Sequence, residues 1–214
     1  MTPEQLHRAC HGDAHLQGLI RIAVEQCGIQ TIIETGTYHG GSTHWFTSLV
    51  PHVFGLEIRP DFLEISRKNA PNATFFLGSS KELLRQRADV LFANPPVLLY
   101  LDAHWQDDWP LGEELAYLNE RRRMGEKFVV LVDDAWVPNQ PKFQGCDGGG
   151  GTIGHRIYGP KTRDDNTPLN YATFSKHLMY WPHLYYPCYP EGGIGHMIAS
   201  DFRLHLGADY EVVR

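Results

Sequence analysis

Acidic residues follow two apolar segments of the chain, at the point where each segment ends. Asp102 comes directly after Val97–Leu101, and Asp133 and Asp134 come directly after Phe128–Val132. If both segments are parallel strands, these acids meet at one edge of a sheet, where three carboxylates repel one another unless a cation or protons intervene. Oxygen-rich sites of this kind favour Mg²⁺, Mn²⁺ or Ca²⁺. The sequence therefore predicts a divalent metal site at these three aspartates, although an aspartate after a strand also often caps the next helix.

A histidine beside the first of these acids is the candidate general base. His104 lies two positions after Asp102, and a neutral imidazole accepts a hydroxyl proton near pH 7. We predict that His104 and Asp102 are the catalytic residues, with Asp107 and Asp108 as alternative bases. The competing interpretation is a histidine that only supports the metal ligands.

A glycine-rich segment follows the first apolar segment, residues 31–33. Its glycines are spaced G-x-x-x-G-G, at Gly36, Gly40 and Gly41, unlike the G-x-G-x-x-G of NAD-binding proteins. Glycines let the backbone turn sharply and approach a ligand closely. Glu34 precedes the turn, and its carboxylate repels a pyrophosphate but suits a sulfonium and a free ammonium. This charge argument favours S-adenosylmethionine over a dinucleotide.

The elements that must position these residues alternate along the chain. Strands are predicted at 31–33, 52–56, 74–77, 97–101 and 128–132, separated by helices at 40–50, 60–69, 79–87 and 111–124. A further helix is predicted from a cap at Thr2 to Cys27. Segments 184–188 and 194–199 flank a turn at 190–193 and predict an antiparallel hairpin. The prediction is one α/β domain over residues 1–214, with a doubly wound, mainly parallel sheet of seven strands.

One segment breaks this alternation. Residues 135–166 are rich in Gly, Pro, Asn and Asp, and such a long irregular stretch is uncommon unless it is a lid or a binding segment. We predict a lid over the substrate. Nearby aromatic and histidine side chains are candidates for a substrate pocket, with ordinary packing as the alternative: Trp105, Trp109, Trp136, His155 and Tyr158.

The bulk composition narrows the class of protein. The chain has 214 residues, a formal net charge of -6 and four cysteines without metal-type spacing. The charge argues against nucleic acid and membrane partners, and the cysteines fit a reducing cytoplasm. The sequence has no basic-then-apolar signal peptide and no apolar run of about 20 residues. We therefore predict a cytoplasmic protein, and self-association into a homo-oligomer stays open.

With these motifs in place, the sequence resembles the class I (Rossmann-like) S-adenosylmethionine-dependent methyltransferases over roughly residues 30–135 and the terminal hairpin. Their glycine-rich motif resembles residues 34–41, and their ribose-binding acid resembles Glu57, which ends the second strand. The resemblance implies adenine contacts at Ser79 and Ser80. The cofactor-binding set is therefore Glu34, Gly36, Thr37, Tyr38, Gly40, Gly41, Ser42, Glu57, Ser79, Ser80 and Asp102.

The acids after strands four and five resemble the Mg²⁺ ligands of the catechol- and macrocin-type O-methyltransferases. The resemblance implies that Asp102, Asp133 and Asp134 hold the metal while a small-molecule hydroxyl of a sugar, phenol or natural product is methylated. The sequence departs from the catechol type, which has a lysine where Trp105 stands. Three alternatives stay open: a metal-independent methyltransferase, an iron oxygenase-like or sugar-nucleotide-binding enzyme, and a non-catalytic binding module.

Overall fold

A sheet of eight strands crosses the molecule, with five parallel strands on one side and three antiparallel strands on the other. The computed structural model describes residues 9–103, 110–133, 135, 137, 143–144, 177–178 and 180–212. The spatial order is β3-β2-β1-β4-β5-β9-β7-β10. The strands of this sheet are β1 (Thr31–Thr35), β2 (His52–Glu57), β3 (Thr74–Leu77), β4 (Val97–Leu101), β5 (Phe128–Val132), β7 (His183–Pro187), β9 (Met197–Ser200) and β10 (Tyr210–Val212). Two short strands, β6 (Phe143–Gln144) and β8 (Gly193–Ile194), pair separately.

Helices cover both faces of the sheet. They are α1 (Ala14–Cys27), α2 (Gly41–Phe46), α3 (Pro60–Asn69), α4 (Ser80–Gln86), α5 (Ala88–Leu91) and α6 (Leu111–Arg123), with 3-10 turns at Ala9–Gly12 and Gly207–Asp209. No helix among the described residues is long and apolar enough to cross a membrane.

The central strands are buried on both faces, and their residues alternate between two apolar cores. Every residue of β1, β4 and β5 is buried, as expected for parallel strands between two helical layers. Leu99 of β4 packs in the core that also contains Leu118 of α6. Leu98 and Tyr100 pack in the opposite core, with Leu16 of α1. The alternation decides which acids at the strand ends share a face.

The predicted α/β fold is confirmed, with one strand more than expected. The parallel strands lie where the apolar segments predicted them, and β7 and β9 pair antiparallel, with Leu184 opposite Ala199. The eighth strand, β10, pairs with the outer side of β7. It escaped prediction because three residues are too few for an alternating pattern to be read.

The helix predicted from Thr2 to Cys27 is confirmed from Ala14 to Cys27 and is wrong over residues 9–13. The 3-10 turn Ala9–Gly12 contains left-handed backbone at Cys10 and His11, and α1 begins only at Ala14. Asp13 caps α1, because its carboxylate accepts hydrogen bonds from the backbone N–H groups of His15 at 2.9 Å and Leu16 at 3.0 Å. Thr2 lies outside the described residues.

One further predicted helix differs from the structure, and most of the predicted lid lies outside the described residues. The helix predicted at 40–50 is shorter, because α2 ends at Phe46 and is followed by turns. Of the predicted lid, 135–166, the structure describes only 135, 137 and 143–144. The lid therefore stays a prediction.

Candidate active site

The carboxyl ends of the parallel strands form one continuous edge. Thr35 pairs with Leu101, and Leu101 pairs with Val132. The ladder extends one residue beyond the strands, because the N–H groups of Asp102 and Asp133 donate to the carbonyls of Thr35 at 3.0 Å and Leu101 at 2.9 Å. The two aspartates are thus held in register at neighbouring strand ends.

This edge contains the point where the strand order reverses. The chain leaves β1 towards β2 and β3, then returns to β4 on the other side of β1. In open α/β sheets, ligands bind beyond the carboxyl ends of the strands at such a reversal. The turn after β1 and the end of β4 therefore flank the expected binding crevice.

Two glycines of the turn after β1 are required by contacts within the protein. Gly36 has φ 77°, and a Cβ there would lie 2.7 Å from the backbone oxygen of Asp102. Gly40 has φ 76°, and a Cβ there would lie 2.9 Å from the Cα of Ser66 in α3. The glycines thus bring the turn against β4 and α3, contacts that the sequence argument, based on a sharp turn and ligand approach, did not include.

Glu57 organises the backbone of the same turn. Its Oε2 accepts the N–H groups of Thr37 and Tyr38, both at 3.0 Å, and its Oε1 accepts the N–H of Arg59 at 2.9 Å. A carboxylate has about four lone-pair sites. Oε1, with its single bond to Arg59, keeps acceptor capacity that suits a ribose hydroxyl.

Glu34 has surroundings different from those that the charge argument assumed. Its side chain is buried, and the Thr43 hydroxyl donates to its Oε2. Burial raises the pKa of Glu34 well above its usual range, the Thr43 bond lowers it, and the charges of Asp102, Glu57 and Asp133 raise it further. Burial thus disfavours the charged form of Glu34, which weakens the argument that its charge selects a sulfonium.

The remaining residues of the glycine-rich turn divide between surface and packing. Tyr38 is 59% exposed and stacks on His39, with ring centroids 3.8 Å apart. It is the residue of this turn that presents a large exposed side chain. Ser42, at the start of α2, accepts the backbone N–H of Cys10 at 2.9 Å. Gly41 is the first residue of α2.

The two serines after β3 lie at the start of α4. Ser79 is the N-cap residue, without a side-chain bond to the first turn of the helix. Ser80 is buried, and its Oγ has no hydrogen-bond partner among the described residues. A buried hydroxyl is costly when it is unpaired, so Ser80 is suited to bond a ligand atom at this end of β3.

Asp102 and Asp133 converge, and a histidine joins them. One ligand atom from each of His11, Asp102 and Asp133 lies within 4.8 Å of the others. His11 Nε2 is 2.9 Å from Asp133 Oδ2. The Tyr100 hydroxyl donates to the same Oδ2, and the Asp133 side chain is fully buried. Two carboxylates and an imidazole therefore face one point.

Burial and the negative charge of this cluster raise the pKa values of two neighbouring side chains, Cys10 and Tyr100. Burial raises the pKa of the Cys10 thiol well above its usual range, and the charges of Asp133, Glu34 and Asp102 raise it further. The hydrogen bond with Ser42 acts in the opposite direction and lowers the pKa. Burial and then the charge of Asp133 likewise raise the pKa of Tyr100. Both side chains stay neutral and serve as hydrogen-bonding groups.

Two predicted site residues lie outside the described residues: His104 and Asp134. Their assignments as general base and third metal ligand stay predictions. The same holds for the candidate pocket side chains Trp105, Trp109, Trp136, His155 and Tyr158.

Sequence reasoning missed His11 and Tyr100. His11 was placed inside a continuous helix, although Gly12-Asp13 is a recognisable break followed by a cap. Tyr100 was counted only as an apolar strand residue. Its position two residues before Asp102 puts it on the same face of β4, which is a signal that could have been used.

An open groove of about 590 Å³ lies elsewhere, at the amino end of β5. Its lining includes Arg122, Gly125, Lys127, Tyr180 and Asp201. Because ligands of such sheets bind at the carboxyl ends of the strands, this groove is not the candidate active site.

Comparison with solved structures identifies the fold. An O-methyltransferase from Bacillus cereus, in complex with SAH, superposes with a TM-score of 0.62 at 16% identity, covering 94% of this chain and 91% of that one. TomG, an O-methyltransferase from Streptomyces achromogenes involved in tomaymycin synthesis and solved with SAM, gives a TM-score of 0.60 at 14% identity, with 94% and 90% covered. The chain thus has the Rossmann-like α/β fold of these O-methyltransferases.

Comparisons of the sequence itself give no match. No protein-family model matches the chain, and a search of curated proteins gives no match.

Proposed function

We propose that this protein is an S-adenosylmethionine-dependent O-methyltransferase that uses a divalent cation. The observation that carries the proposal is the convergence of Asp102, Asp133 and His11 beside the turn that Glu57 organises, at the reversal point of the sheet. The fold shared with O-methyltransferases that bind SAM or SAH supports the donor. The acceptor is a hydroxyl group of a small molecule.

The turn after β1 and the end of β2 supply the donor site. Glu57 fixes the backbone of Thr37 and Tyr38, and its Oε1 is free to accept a ribose hydroxyl beyond the bond from Arg59. The buried hydroxyl of Ser80 is suited to the adenine. These groups would hold the donor at this edge of the sheet, beside the end of β4.

The described residues fit a divalent cation. Asp102 and Asp133 provide carboxylate oxygens, and His11 Nε2 lies 2.9 Å from Asp133 Oδ2. Two ligands at right angles, each about 2.1 Å from an ion, are about 3.0 Å apart. Asp134 is the predicted further ligand. When bound there, the cation polarises the acceptor hydroxyl and lowers its pKa.

The side chains of the protein would contribute by accepting a proton and by positioning the reactants. Methyl transfer breaks the sulfur–methyl bond of the donor, forms an oxygen–methyl bond, and releases the hydroxyl proton to a base. His104, two residues after Asp102, is the predicted base. The register of β4 and β5 fixes the strand ends that carry the proposed ligands, and holding the reactants in a suitable geometry would lower the barrier to transfer.

Calorimetric titration tests both parts of the proposal. The protein should bind S-adenosylmethionine, and it should bind Mg²⁺ or Mn²⁺ in a separate titration. Asp102→Asn should remove most of the metal affinity while donor affinity stays nearly unchanged. Asp89→Asn, at an exposed acid in α5, is the matched control and should change neither.

The outcomes separate the alternatives. Absence of donor binding would overturn the methyltransferase proposal. Donor binding without metal binding would leave a metal-independent methyltransferase. Labelled methyl transfer from S-adenosylmethionine to a panel of sugars and phenols, with and without metal, then defines the acceptor class.

A further inference from the structure

We infer that His11 is a metal ligand, so that the cation site contains nitrogen and selects Mn²⁺ or a later transition metal over Mg²⁺. This inference rests on the proposed metal dependence and refines it. The ligand comes from the turn before α1, far in sequence from β4 and β5.

The backbone of this turn is strained in a way that delivers the imidazole to the acids. Three consecutive residues are left-handed: Cys10 with φ 50°, His11 with φ 58° and Gly12 with φ 80°. Residues with a Cβ disfavour this region, and such strain persists only when the surrounding structure enforces it. The strain therefore indicates a function for the position of His11.

Specific contacts hold the turn against the sheet edge. The Cys10 N–H donates to Ser42 Oγ at 2.9 Å, and the side-chain amide of Gln17 donates to the Ala9 carbonyl at 2.8 Å. Cys10 itself is fully buried. The turn is thus fixed at the two residues that precede His11, which preorganises the imidazole.

The spacing between His11 and Asp133 fits one coordination shell, and Asp102 lies close to both. His11 Nε2 and Asp133 Oδ2 are 2.9 Å apart, and all three ligand atoms lie within 4.8 Å of one another. In an octahedral shell with bonds of about 2.1 Å, neighbouring ligands are about 3.0 Å apart and opposite ligands about 4.2 Å apart. The His11–Asp133 spacing therefore corresponds to one edge of an octahedron.

The surroundings support ligation. Asp133 is fully buried, and the Tyr100 hydroxyl orients its Oδ2, as hydrogen bonds from neighbouring groups orient metal ligands in other proteins. The His11 side chain is 43% exposed, so one side of the cluster is accessible from solvent. An imidazole suits Mn²⁺, Fe²⁺, Co²⁺ or Zn²⁺, whereas Mg²⁺ prefers oxygen alone.

Spin-echo spectroscopy of the Mn²⁺-loaded protein tests the inference without any turnover. A directly bound imidazole nitrogen modulates the Mn²⁺ signal, and we expect this modulation in the unmodified protein. His11→Ala should remove it and weaken Mn²⁺ binding by at least about 10-fold, because loss of even a group that only supports a metal ligand costs about 10- to 100-fold. Mg²⁺ binding should weaken less, so the Mn²⁺/Mg²⁺ preference falls.

His15→Ala is the matched control. His15 lies four residues away in the same segment and also contacts an aspartate, with Nδ1 3.1 Å from Asp209 Oδ2. This variant should keep both the nitrogen modulation and the metal preference. Circular dichroism of both variants shows whether the fold is retained.

Two results would overturn the inference, and they differ from failure of the proposed function. Mn²⁺ bound without nitrogen modulation would make the site all-oxygen and the His11–Asp133 contact a hydrogen bond only. Equal Mn²⁺ affinity in His11→Ala would have the same meaning. Loss of the proposed function itself would appear as no metal binding to the unmodified protein, or no binding of S-adenosylmethionine.

Discussion

The sheet edge has a proposed donor half, at Thr37, Tyr38 and Glu57, and a proposed metal half, at His11 and Asp133. The two halves are stabilised in different ways. In the donor half, Glu57 bonds the backbone of Thr37 and Tyr38, only 20 and 19 positions away. In the metal half, Asp133 meets His11 at a separation of 122 positions. The first half is built from consecutive strands, whereas the second depends on a distant turn.

This difference shows what a strand-end acid needs. Glu57 obtains its partners from backbone N–H groups, which any sequence with the right turn supplies. Asp133 obtains Tyr100 and His11, which are side chains and must be the right residues in the right place. The metal half is therefore the more sensitive to substitution of single side chains, and the donor half to changes of backbone.

Gly36→Ala should have the largest effect on stability, because it disrupts the close backbone contact between the turn after β1 and Asp102. The new Cβ would lie 2.7 Å from the Asp102 oxygen, at φ 77°. Strain and overpacking together should lower the free energy of unfolding by about 2–5 kcal/mol, as measured by urea denaturation.

Gly207→Ala separates these two contributions. Gly207 has φ 72° and nothing within 4 Å of an added Cβ, so only the backbone strain remains, about 1–2 kcal/mol. If both variants lose the same stability, the close approach of Gly36 to Asp102 is unimportant.

Glu57→Gln tests the donor half through its backbone bonds. A glutamine has one acceptor oxygen, so its NH₂ group must face either Arg59 N–H or the N–H groups of Thr37 and Tyr38. We expect a loss of about 1–3 kcal/mol in unfolding free energy and weaker binding of S-adenosylmethionine. Calorimetry and urea denaturation measure the two effects; unchanged donor affinity would place the ribose elsewhere.

Glu34→Gln tests the buried carboxyl group of β1, and its effect on the free energy of unfolding should depend on pH. The folded state raises the pKa of Glu34 above the ordinary 4.5, so it binds more protons than the unfolded state. Stability from this group is present at low pH and is lost as pH rises above about 4.5 towards the folded pKa. The variant lacks this loss, so its stability relative to the unmodified protein should increase with pH.

Urea denaturation at several pH values between about 5 and about 7 measures this trend. A relative stability that does not change over this range would mean that Glu34 is ionised in both the folded and the unfolded protein. The charge argument for a sulfonium at this residue would then regain its basis.

Ser42→Ala should have the smallest effect of the series. It removes the acceptor of the Cys10 N–H, which should cost about 0.5–1.5 kcal/mol and weaken Mn²⁺ binding slightly. Ser48→Ala is the control, because the Ser48 hydroxyl donates only to the nearby Trp45 carbonyl. Metal affinity that falls in Ser48→Ala as much as in Ser42→Ala would argue against a special role for the turn.

The sequence predicts the sheet well, because its strands are local features. Apolar segments gave the five parallel strands, and register alone brings Asp102 beside Asp133. His11 was missed because one helix was predicted through the break at Gly12, and no local pattern shows that this turn lies against Asp133. Nor does any local pattern reveal that Glu34 is bonded by Thr43 and buried, because burial depends on how α2 packs against β1.

One consequence follows from the missing space at Gly36. The turn proposed to hold the donor and the backbone of Asp102 touch so closely that a single methyl group does not fit between them. If donor binding shifts this turn, the strand end with the proposed cation ligand must shift as well. Thermodynamic linkage requires the effect to be reciprocal: the factor by which metal changes donor affinity must equal the factor by which donor changes metal affinity, and titrations in both orders measure it.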